Sequence, residues 1–112
     1  METFINNLKI VNDYFDNFSK KDLSALEKQI DDDIILHDWV LKVQGKLKVM
    51  ETFKSIFEEN ESIKISPVNI MGDQSCFSAE ILITINNKEI LEVVDVLKIK
   101  DNKIISIKAY KC

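Results

Sequence analysis

The second half of the chain alternates apolar and polar residues with a period of two, and this pattern constrains the fold more than any other feature. A period of two places successive side chains on opposite faces of an extended strand. Four strands are therefore predicted, over residues 62–71, 75–85, 88–100 and 103–110. Pro67 interrupts the first of them, which predicts an edge strand or a bulge because proline cannot donate to a strand ladder.

Two short polar pairs, Asn86-Asn87 and Asp101-Asn102, separate the last three strands. Asn and Asp adopt the positive φ of tight hairpins more easily than most residues, so both pairs are predicted to be two-residue turns. The last three strands should then form an antiparallel meander.

The first half of the chain has helical spacing instead. Apolar residues at steps of three and four predict a helix over residues 2–18, with Tyr14 at the edge of its apolar stripe. Asp22 is predicted to cap a short second helix that runs to Ile30, and residues 47–59 are predicted to form a third helix after Gly45.

One strand is predicted between the second and third helices. Three aspartates, Asp31 to Asp33, should end the helix and open a strand over residues 34–39, with a continuation to Val43 left open. At 112 residues and 46% hydrophobic residues, the chain suits one domain over residues 1–112. The predicted class is α+β, with three helices packed on one curved, mostly antiparallel sheet.

Composition excludes several function classes. The formal net charge is −4 and the lysines are interspersed with acidic residues, so no nucleic-acid partner is expected. No apolar run approaches the about 20 residues that span a bilayer, so we expect no membrane insertion. Cys76 and Cys112 are too few for a disulfide framework or metal site, and no signal-peptide pattern is visible, so we expect a reduced, cytoplasmic protein.

A carboxylate lies in the middle of an aliphatic strand face. The alternate residues of the third predicted strand of the sheet are Leu91, Val93, Asp95, Leu97 and Ile99. If that face packs on a core, Asp95 must be paired, hydrogen-bonded, or neutral through a raised pKa. A neutral carboxyl group donates a hydrogen bond, whereas a paired one has only a structural role, and both readings remain open.

Asp38 repeats this arrangement on the strand predicted over residues 34–39, where it shares a face with Ile34 and Leu36. If Asp38 and Asp95 open onto one cavity, their environments can separate their pKa values into those of a base and an acid. Asp38 could instead be a strand-end residue that faces water. His37 alternates to the opposite face, so a His37–Asp38 dyad is not expected.

The same residues carry a family resemblance along nearly the whole chain. It rests on a first helix with tyrosine, Lys-Asp-Leu-Ser-Ala-Leu, Asp-Asp-Asp before a strand that ends in Asp38, Gly45 before a helix, and a late Val-Val-Asp-Val-Leu-Lys-Ile strand. This order resembles the NTF2-like superfamily, in particular its ketosteroid isomerase and SnoaL-like branch. The resemblance implies a cone-shaped fold around a pocket.

The resemblance also implies roles for single residues. In ketosteroid isomerases a first-helix tyrosine and a late-strand aspartic acid donate to the enolate oxygen, and an aspartate at the end of the first strand transfers the proton. These roles would fall on Tyr14, Asp95 and Asp38, with no metal or organic cofactor. We expect Trp39 and Phe57 to contact a small hydrophobic substrate of such an isomerase or cyclase.

Two other functions remain open. The first is a non-catalytic module that binds a small ligand or forms a homodimer through the outer sheet face, where Leu82, Val94, Val96 and Ile104 are expected. Trp39 would then be a pocket wall or a dimer contact. The second is a hydrolase or dehydratase in which Asp38 activates water, for which His37 is badly placed as a second base.

Overall fold

The structure is a computed structural model that describes residues 2–112. Within this range the chain forms three helices and six strands. They are α1 (Glu2–Ser19), α2 (Leu23–Gln29), β1 (Ile30–His37), β2 (Lys42–Gln44), α3 (Lys46–Glu59), β3 (Ile63–Gly72), β4 (Cys76–Ile85), β5 (Glu89–Lys100) and β6 (Lys103–Lys111). None of the helices in residues 2–112 combines the length and the apolar character needed to cross a membrane.

All six strands belong to one open sheet in the order β2-β1-β6-β5-β4-β3. The predicted meander of β4, β5 and β6 is confirmed, and β3 extends it on one side with antiparallel pairing. On the other side β1 pairs with β6 in parallel, and β2 folds back antiparallel on β1. The α+β class is confirmed, whereas the parallel pairing was not predicted.

The turns of the meander match their residue types. All four predicted turn residues have positive φ: Asn86, Asn87, Asp101 and Asn102. Between β5 and β6, Lys100 lies opposite Lys103, so that loop has the two residues predicted. Between β4 and β5, Ile85 lies opposite Glu89, so the loop has three residues, one more than predicted.

Bulges change which residues face the core. On β3 the register shifts between Pro67 and Asn69, which confirms a bulge on this edge strand. On β6 the register shifts so that Ile99 pairs with Ile104, and Ile105 becomes the extra residue. Ile104 is therefore fully buried, and its predicted place on the outer face was wrong.

The first strand begins earlier than predicted. β1 starts at Ile30, which is fully buried and pairs with Ile104, so α2 ends at Gln29. The acidic run therefore lies inside the strand instead of before it. A register shift between Ile30 and Ile35 interrupts the pairing there, and Asp32 and Asp33 remain exposed.

Aromatic rings join the helices to one another. The Phe18 ring of α1 lies 4.8 Å from the Phe57 ring and 5.3 Å from the Phe53 ring of α3, measured between centroids. Both contacts have edge-to-face geometry, which aromatic pairs prefer. α1 is also attached to β3, because the Ile65 amide donates to Ser19 Oγ at 2.9 Å. The inner face of the sheet thus carries α1 and α3.

A lysine stabilises the end of α3. Lys21 Nζ donates to the carbonyl oxygens of Phe57 at 2.9 Å and Glu61 at 3.0 Å, and to that of Asn60. The last carbonyls of a helix have no partner inside the helix, and a cation there also opposes the helix dipole. Lys21 therefore connects the α1–α2 turn to the end of α3.

We expect Lys21→Met to lower the free energy of unfolding by about 1–2 kcal/mol, because three carbonyl groups lose a charged donor. Lys20→Met is the matched control, since Lys20 is exposed, and it should change stability by less than about 0.5 kcal/mol. Urea unfolding measures both values. Equal stability of the two variants would show that the Lys21 contacts contribute nothing.

Candidate active site

A cavity of about 740 Å³ lies between the inner face of the sheet and the helices α1 and α3. Tyr14 from α1, Asp38 from the residue after β1, and Asp95 from the middle of β5 all line it. The structure therefore brings the three predicted catalytic residues to one cavity. Eight branched aliphatic residues of the sheet strands β1, β3, β4, β5 and β6 also line it: Leu36, Ile63, Ile65, Ile83, Ile85, Leu91, Val93 and Ile107.

Strand register explains why Asp38 and Asp95 share the cavity. Asp95 lies opposite Ala109 of β6, and His37 of β1 lies opposite Lys108. Asp38 is the next residue along, so it lies level with Ala109 on the same face. The two aspartates are thus two strands apart, which corresponds to about 10 Å between their Cα atoms.

Small side chains flank Asp95 on both sides. Its cross-strand partners are Ala79 on β4 and Ala109 on β6. Reading across β1, β6, β5 and β4, the row is Asp38, Ala109, Asp95 and Ala79. Because alanine has no atoms beyond Cβ, Ala109 leaves open space between the two carboxyl groups.

Aromatic packing fixes the Tyr14 ring. Its centroid lies 5.6 Å from that of Phe15, 5.9 Å from that of Phe18 and 6.3 Å from that of Phe53. Only 4% of the Tyr14 surface is exposed. The ring is thus held among three others, and its hydroxyl is the part that reaches the cavity.

Burial shifts the protonation equilibria of two groups. Burial, and then the nearby Asp38 carboxylate, raise the pKa of Asp95 from 3.8 to about 7. Burial, and then Asp95, raise the pKa of Tyr14 well above its ordinary value of 10. In both cases a low-dielectric site disfavours the charged form. Near neutral pH, Tyr14 is a donor and Asp95 is a donor for a substantial fraction of the time.

Within residues 2–112, neither Tyr14 nor Asp95 has a hydrogen-bond partner for its side-chain oxygens. Hydrogen bonds contribute to neither pKa shift, and no fully enclosed side-chain oxygen in residues 2–112 lacks a partner. The Tyr14 hydroxyl and the Asp95 carboxyl oxygens therefore open onto the cavity. They are free to donate to a single ligand atom.

The two carboxyl oxygens of Asp38 have different surroundings. Its Oδ1 accepts from the amides of Val40 at 2.7 Å and Leu41 at 2.9 Å, while its own amide donates to the Leu41 carbonyl at 2.9 Å. This Asx turn reverses the chain from β1 into β2. Oδ2 takes no part in the turn, and it is the oxygen available to the cavity that Asp38 lines.

The other predicted site residues fall in different places. Trp39 lines the cavity at its mouth, where 45% of it is exposed and Lys111 Nζ lies 5.9 Å from its ring centroid. Phe57 lies in the aromatic core against Phe18, not on the cavity wall, so its position does not provide the expected substrate contact. His37 does not line the cavity, as its place on the opposite face predicts.

No group of three or more His, Cys, Asp or Glu side chains in residues 2–112 is arranged to hold a metal ion.

The sequence patterns did not predict that one face of α3 lines the cavity, with Glu51, Thr52, Ser55 and Glu59. Helical periodicity places these residues on the polar side of α3, and nothing in their types distinguishes a cavity from solvent. The sequence also gives a weak indication of Ala109, which lies beside Asp95 in the row, because it is an alanine on a strand of branched aliphatic residues.

Solved structures of the same fold cover nearly the whole chain. An LEH-like epoxide hydrolase of M. tuberculosis superposes with a TM-score of 0.87 at 12% identity, over 97% of this chain and 84% of that chain. A "putative ketosteroid isomerase" of Kribbella flavida superposes with a TM-score of 0.86 at 11% identity, over 97% of this chain and 79% of that one.

A third structure is that of SalBIII, an epoxide hydrolase/cyclase-like enzyme in pyran ring formation in polyether salinomycin. It superposes with a TM-score of 0.80 at 18% identity, over 93% of this chain and 88% of that chain. At these identities the likeness shows the fold, which is NTF2-like.

No curated protein matches the sequence. A family model, described as the SnoaL-like domain, matches residues 11–107 and so includes Tyr14, Asp38 and Asp95. The chain therefore belongs to the SnoaL-like domain family.

Proposed function

We propose that this protein is a cofactor-free isomerase or cyclase that moves a proton next to the carbonyl of a small hydrophobic substrate. One observation carries the proposal: a carboxyl group with a pKa of about 7 and a second carboxyl group share a largely aliphatic cavity, about 10 Å apart along the sheet. Such a pair can supply an acid and a base at the same pH.

The reaction begins with the substrate carbonyl oxygen between Tyr14 and Asp95. Both groups donate to that oxygen, and Asp38 Oδ2 removes a proton from the adjacent carbon. The electron pair of the broken C–H bond forms a C=C bond, and the carbonyl π electrons move to the oxygen. The two donors stabilise this enolate, because they lie where the negative charge develops.

The second step decides the reaction type. If Asp38 returns its proton to a different carbon, the product is an isomer of the substrate. If the enolate carbon instead attacks a second carbonyl carbon of the same molecule, the new C–C bond closes a ring. The π electrons of that second carbonyl move to its oxygen, which takes the proton from Asp38. In both cases the aliphatic part of the wall lowers the local dielectric constant, which strengthens the donor contacts.

Asp95 must be neutral to donate a hydrogen bond. Because its pKa is raised in the folded chain, the protein is less stable at high pH, where Asp95 loses its proton. Below about pH 3.8 the group is protonated in the folded and the unfolded chain alike. Between there and pH 7 the unfolded chain releases the proton while the folded chain keeps it. The free energy of unfolding therefore falls as pH rises, by about 4 kcal/mol in total.

Epoxide opening is the second candidate reaction, favoured by the structural likeness to an epoxide hydrolase and to an epoxide hydrolase/cyclase-like enzyme. Tyr14 and Asp95 would donate to the epoxide oxygen while Asp38 takes a proton from a water or a substrate hydroxyl. The attacking oxygen forms a C–O bond as the epoxide C–O bond breaks, and Asp95 supplies the proton of the new hydroxyl.

We also propose that the protein forms a homodimer through the outer sheet face. The non-catalytic alternative involves the same homodimer. Leu82, Val94 and Val96 are half-buried there, and Val94 lies opposite the exposed Tyr110. This apolar strip is flanked by charged side chains, as is usual for a surface that pairs with a copy of itself.

Deuterium exchange tests the proton transfer without knowledge of the natural substrate. We expect the protein to speed exchange of the α-protons of 2-tetralone, an apolar ketone, in D2O, as followed by ¹H NMR. Asp38→Asn should lower the rate by at least about 100-fold, because the base is lost. Tyr14→Phe should lower it by about 10- to 100-fold, because one oxyanion donor is lost.

His37→Gln is the control and should exchange at the wild-type rate. Full exchange activity in Asp38→Asn would rule out the proposed base. If none of the proteins exchanges 2-tetralone but the wild type hydrolyses styrene oxide and Asp38→Asn does not, the epoxide reaction replaces the isomerase proposal.

The Asp95 pKa predicts a difference in stability that depends on pH. Relative to Asp95→Asn, which cannot ionise, the wild type should lose about 2–3 kcal/mol of unfolding free energy between pH 5 and pH 8. Urea unfolding of both proteins at the two pH values measures this. Parallel pH dependences would mean that Asp95 ionises with an ordinary pKa and is not the neutral donor.

The dimer is tested by sedimentation velocity at 10 and 100 µM. The wild type should sediment as a dimer, and Val94→Glu should shift it to monomer by placing an unpaired charge in the strip. Val68→Glu is the control, because Val68 is exposed on the edge strand β3, outside the strip. A monomeric wild type at 100 µM would contradict the dimer.

A further inference from the structure

The cavity is long, and its two ends carry different side chains. Asp95 lies opposite Ala79 on β4, and the cavity wall reaches Ile85 on the same strand. Ile85 is six residues beyond Ala79, which corresponds to about 20 Å along the strand. The far end of the cavity, at Ile85, is therefore remote from Tyr14, Asp38 and Asp95.

The last turns of α3 lie at this far end. Ser62 follows the helix, and its amide donates to Asn86 Oδ1 at 3.1 Å while its carbonyl accepts from the Asn86 amide at 2.9 Å. These bonds tie the end of α3 to the turn between β4 and β5, where Ile63 pairs with Ile85. We call this part of the cavity the distal end, and it is lined by Ser55, Glu59, Asn60, Ile63 and Ile85.

The polar side chains of the distal end present oxygen acceptors. Asn60 Nδ2 donates to the Ile56 carbonyl at 2.9 Å, which leaves Asn60 Oδ1 as an acceptor. Ser55 lies one turn before Glu59, and helical side chains lean toward the N-terminus, so the Glu59 carboxylate covers the Ser55 hydroxyl. The distal end thus combines one carboxylate, one hydroxyl and one amide oxygen.

The charge of Glu59 has no cationic partner within residues 2–112, since neither ion pair there includes it. Lys48 is the lysine that lines the cavity, and it lies eleven residues before Glu59. That separation is about 16 Å along the helix, or about twice the 8 Å Debye length at physiological salt. Lys21 does not line the cavity, and its Nζ donates to three backbone carbonyls at the end of α3.

We propose that the distal end binds an ammonium group, and that the substrate is an elongated apolar molecule that carries this group far from its reacting carbonyl. An ammonium group has three N–H donors and no acceptor, which matches the three oxygen acceptors. Ile83, Leu91 and Val93 line the cavity between its two ends, so they pack on the apolar body of an organic cation. Asp95 independently points to a ligand in this cavity, because it is 6% exposed and without a partner in residues 2–112.

The assignment of the ammonium group to the reacting molecule rests on the proposed function, whereas ammonium binding at the distal end does not. The probes therefore contain no ketone. 4-Phenylbutylamine, 4-phenyl-1-butanol and 4-phenylbutanoate share an apolar body and differ at one end, which is cationic, neutral or anionic at pH 7. Titration followed by ¹H–¹⁵N NMR gives the dissociation constant of each probe and the amides that shift.

We expect the wild type to bind the amine about 10-fold more tightly than the alcohol, because a hydrogen bond between charged groups is stronger than a neutral one. The carboxylate should bind most weakly, since it meets the charge of Glu59. The largest shifts with the amine should fall at the amides of Ser55, Glu59 and Asn60.

Glu59→Gln removes the charge and keeps the size of the side chain. It should weaken binding of the amine by about 10-fold and change binding of the alcohol by less than about 2-fold. Glu58→Gln is the matched control, because Glu58 is exposed, is adjacent in sequence and does not line the cavity. It should bind the amine within about 2-fold of the wild type.

Four results would each overturn the inference: equal affinity for the amine and the alcohol, equal effects of Glu59→Gln and Glu58→Gln, amine shifts centred on Asp38, or no amine binding at millimolar concentration. Ammonium binding that Glu59→Gln weakens, without any deuterium exchange by the wild type, would contradict only the proposed function. Deuterium exchange without a preference for the ammonium group would contradict only this inference.

Discussion

The parallel pairing of β1 with β6 is the contact on which the site depends. It sets Leu36 opposite Ile107 and so brings Asp38 level with the Ala109–Asp95 pair. A slip of one residue would turn Asp38 to the outer face and His37 to the inner one, because strand side chains alternate. Burial of Ile34 and Leu36 on the inner face opposes that slip, since both would be exposed by it. The hydrophobic pattern of β1 thus holds a polar residue in place.

Local patterns predicted much of the fold. The helices, the meander and the turn residues follow from periodicity and from the φ preferences of Asn and Asp, which act within a few residues. The β1–β6 pairing joins segments some 70 residues apart, and no local signal carries it. Bulges are similarly hard to predict, and the one at Ile105 reversed the expected orientation of Ile104. Strand register was therefore the main feature of the fold that local sequence patterns did not predict.

The candidate site also has a part that local sequence patterns predict and a part that they do not. Asp95 could be identified from sequence because a charge in an aliphatic strand face needs a physical explanation, and burial does raise its pKa to about 7. Whether Asp38 and Tyr14 lie near Asp95 could not be predicted from local patterns, because it depends on how α1, β1 and β5 come together in the fold. Phe57 was expected at the ligand because its type suits an apolar wall, yet the same property suits the core, where it packs on Phe18. Residue type alone does not separate these two environments.

Asp38 connects the chemistry of the site to the shape of its mouth. Two backbone amides donate to Oδ1, so the carboxylate is oriented by the turn that it stabilises, and Oδ2 takes no part in that turn. The same turn carries Trp39 and Val40, whose apolar side chains are exposed at the cavity mouth. A protonated carboxyl group accepts hydrogen bonds more weakly than a carboxylate does. In the proposed reaction, proton uptake by Asp38 would therefore loosen the turn at the mouth, so that the proposed base and the entrance would respond to the same event.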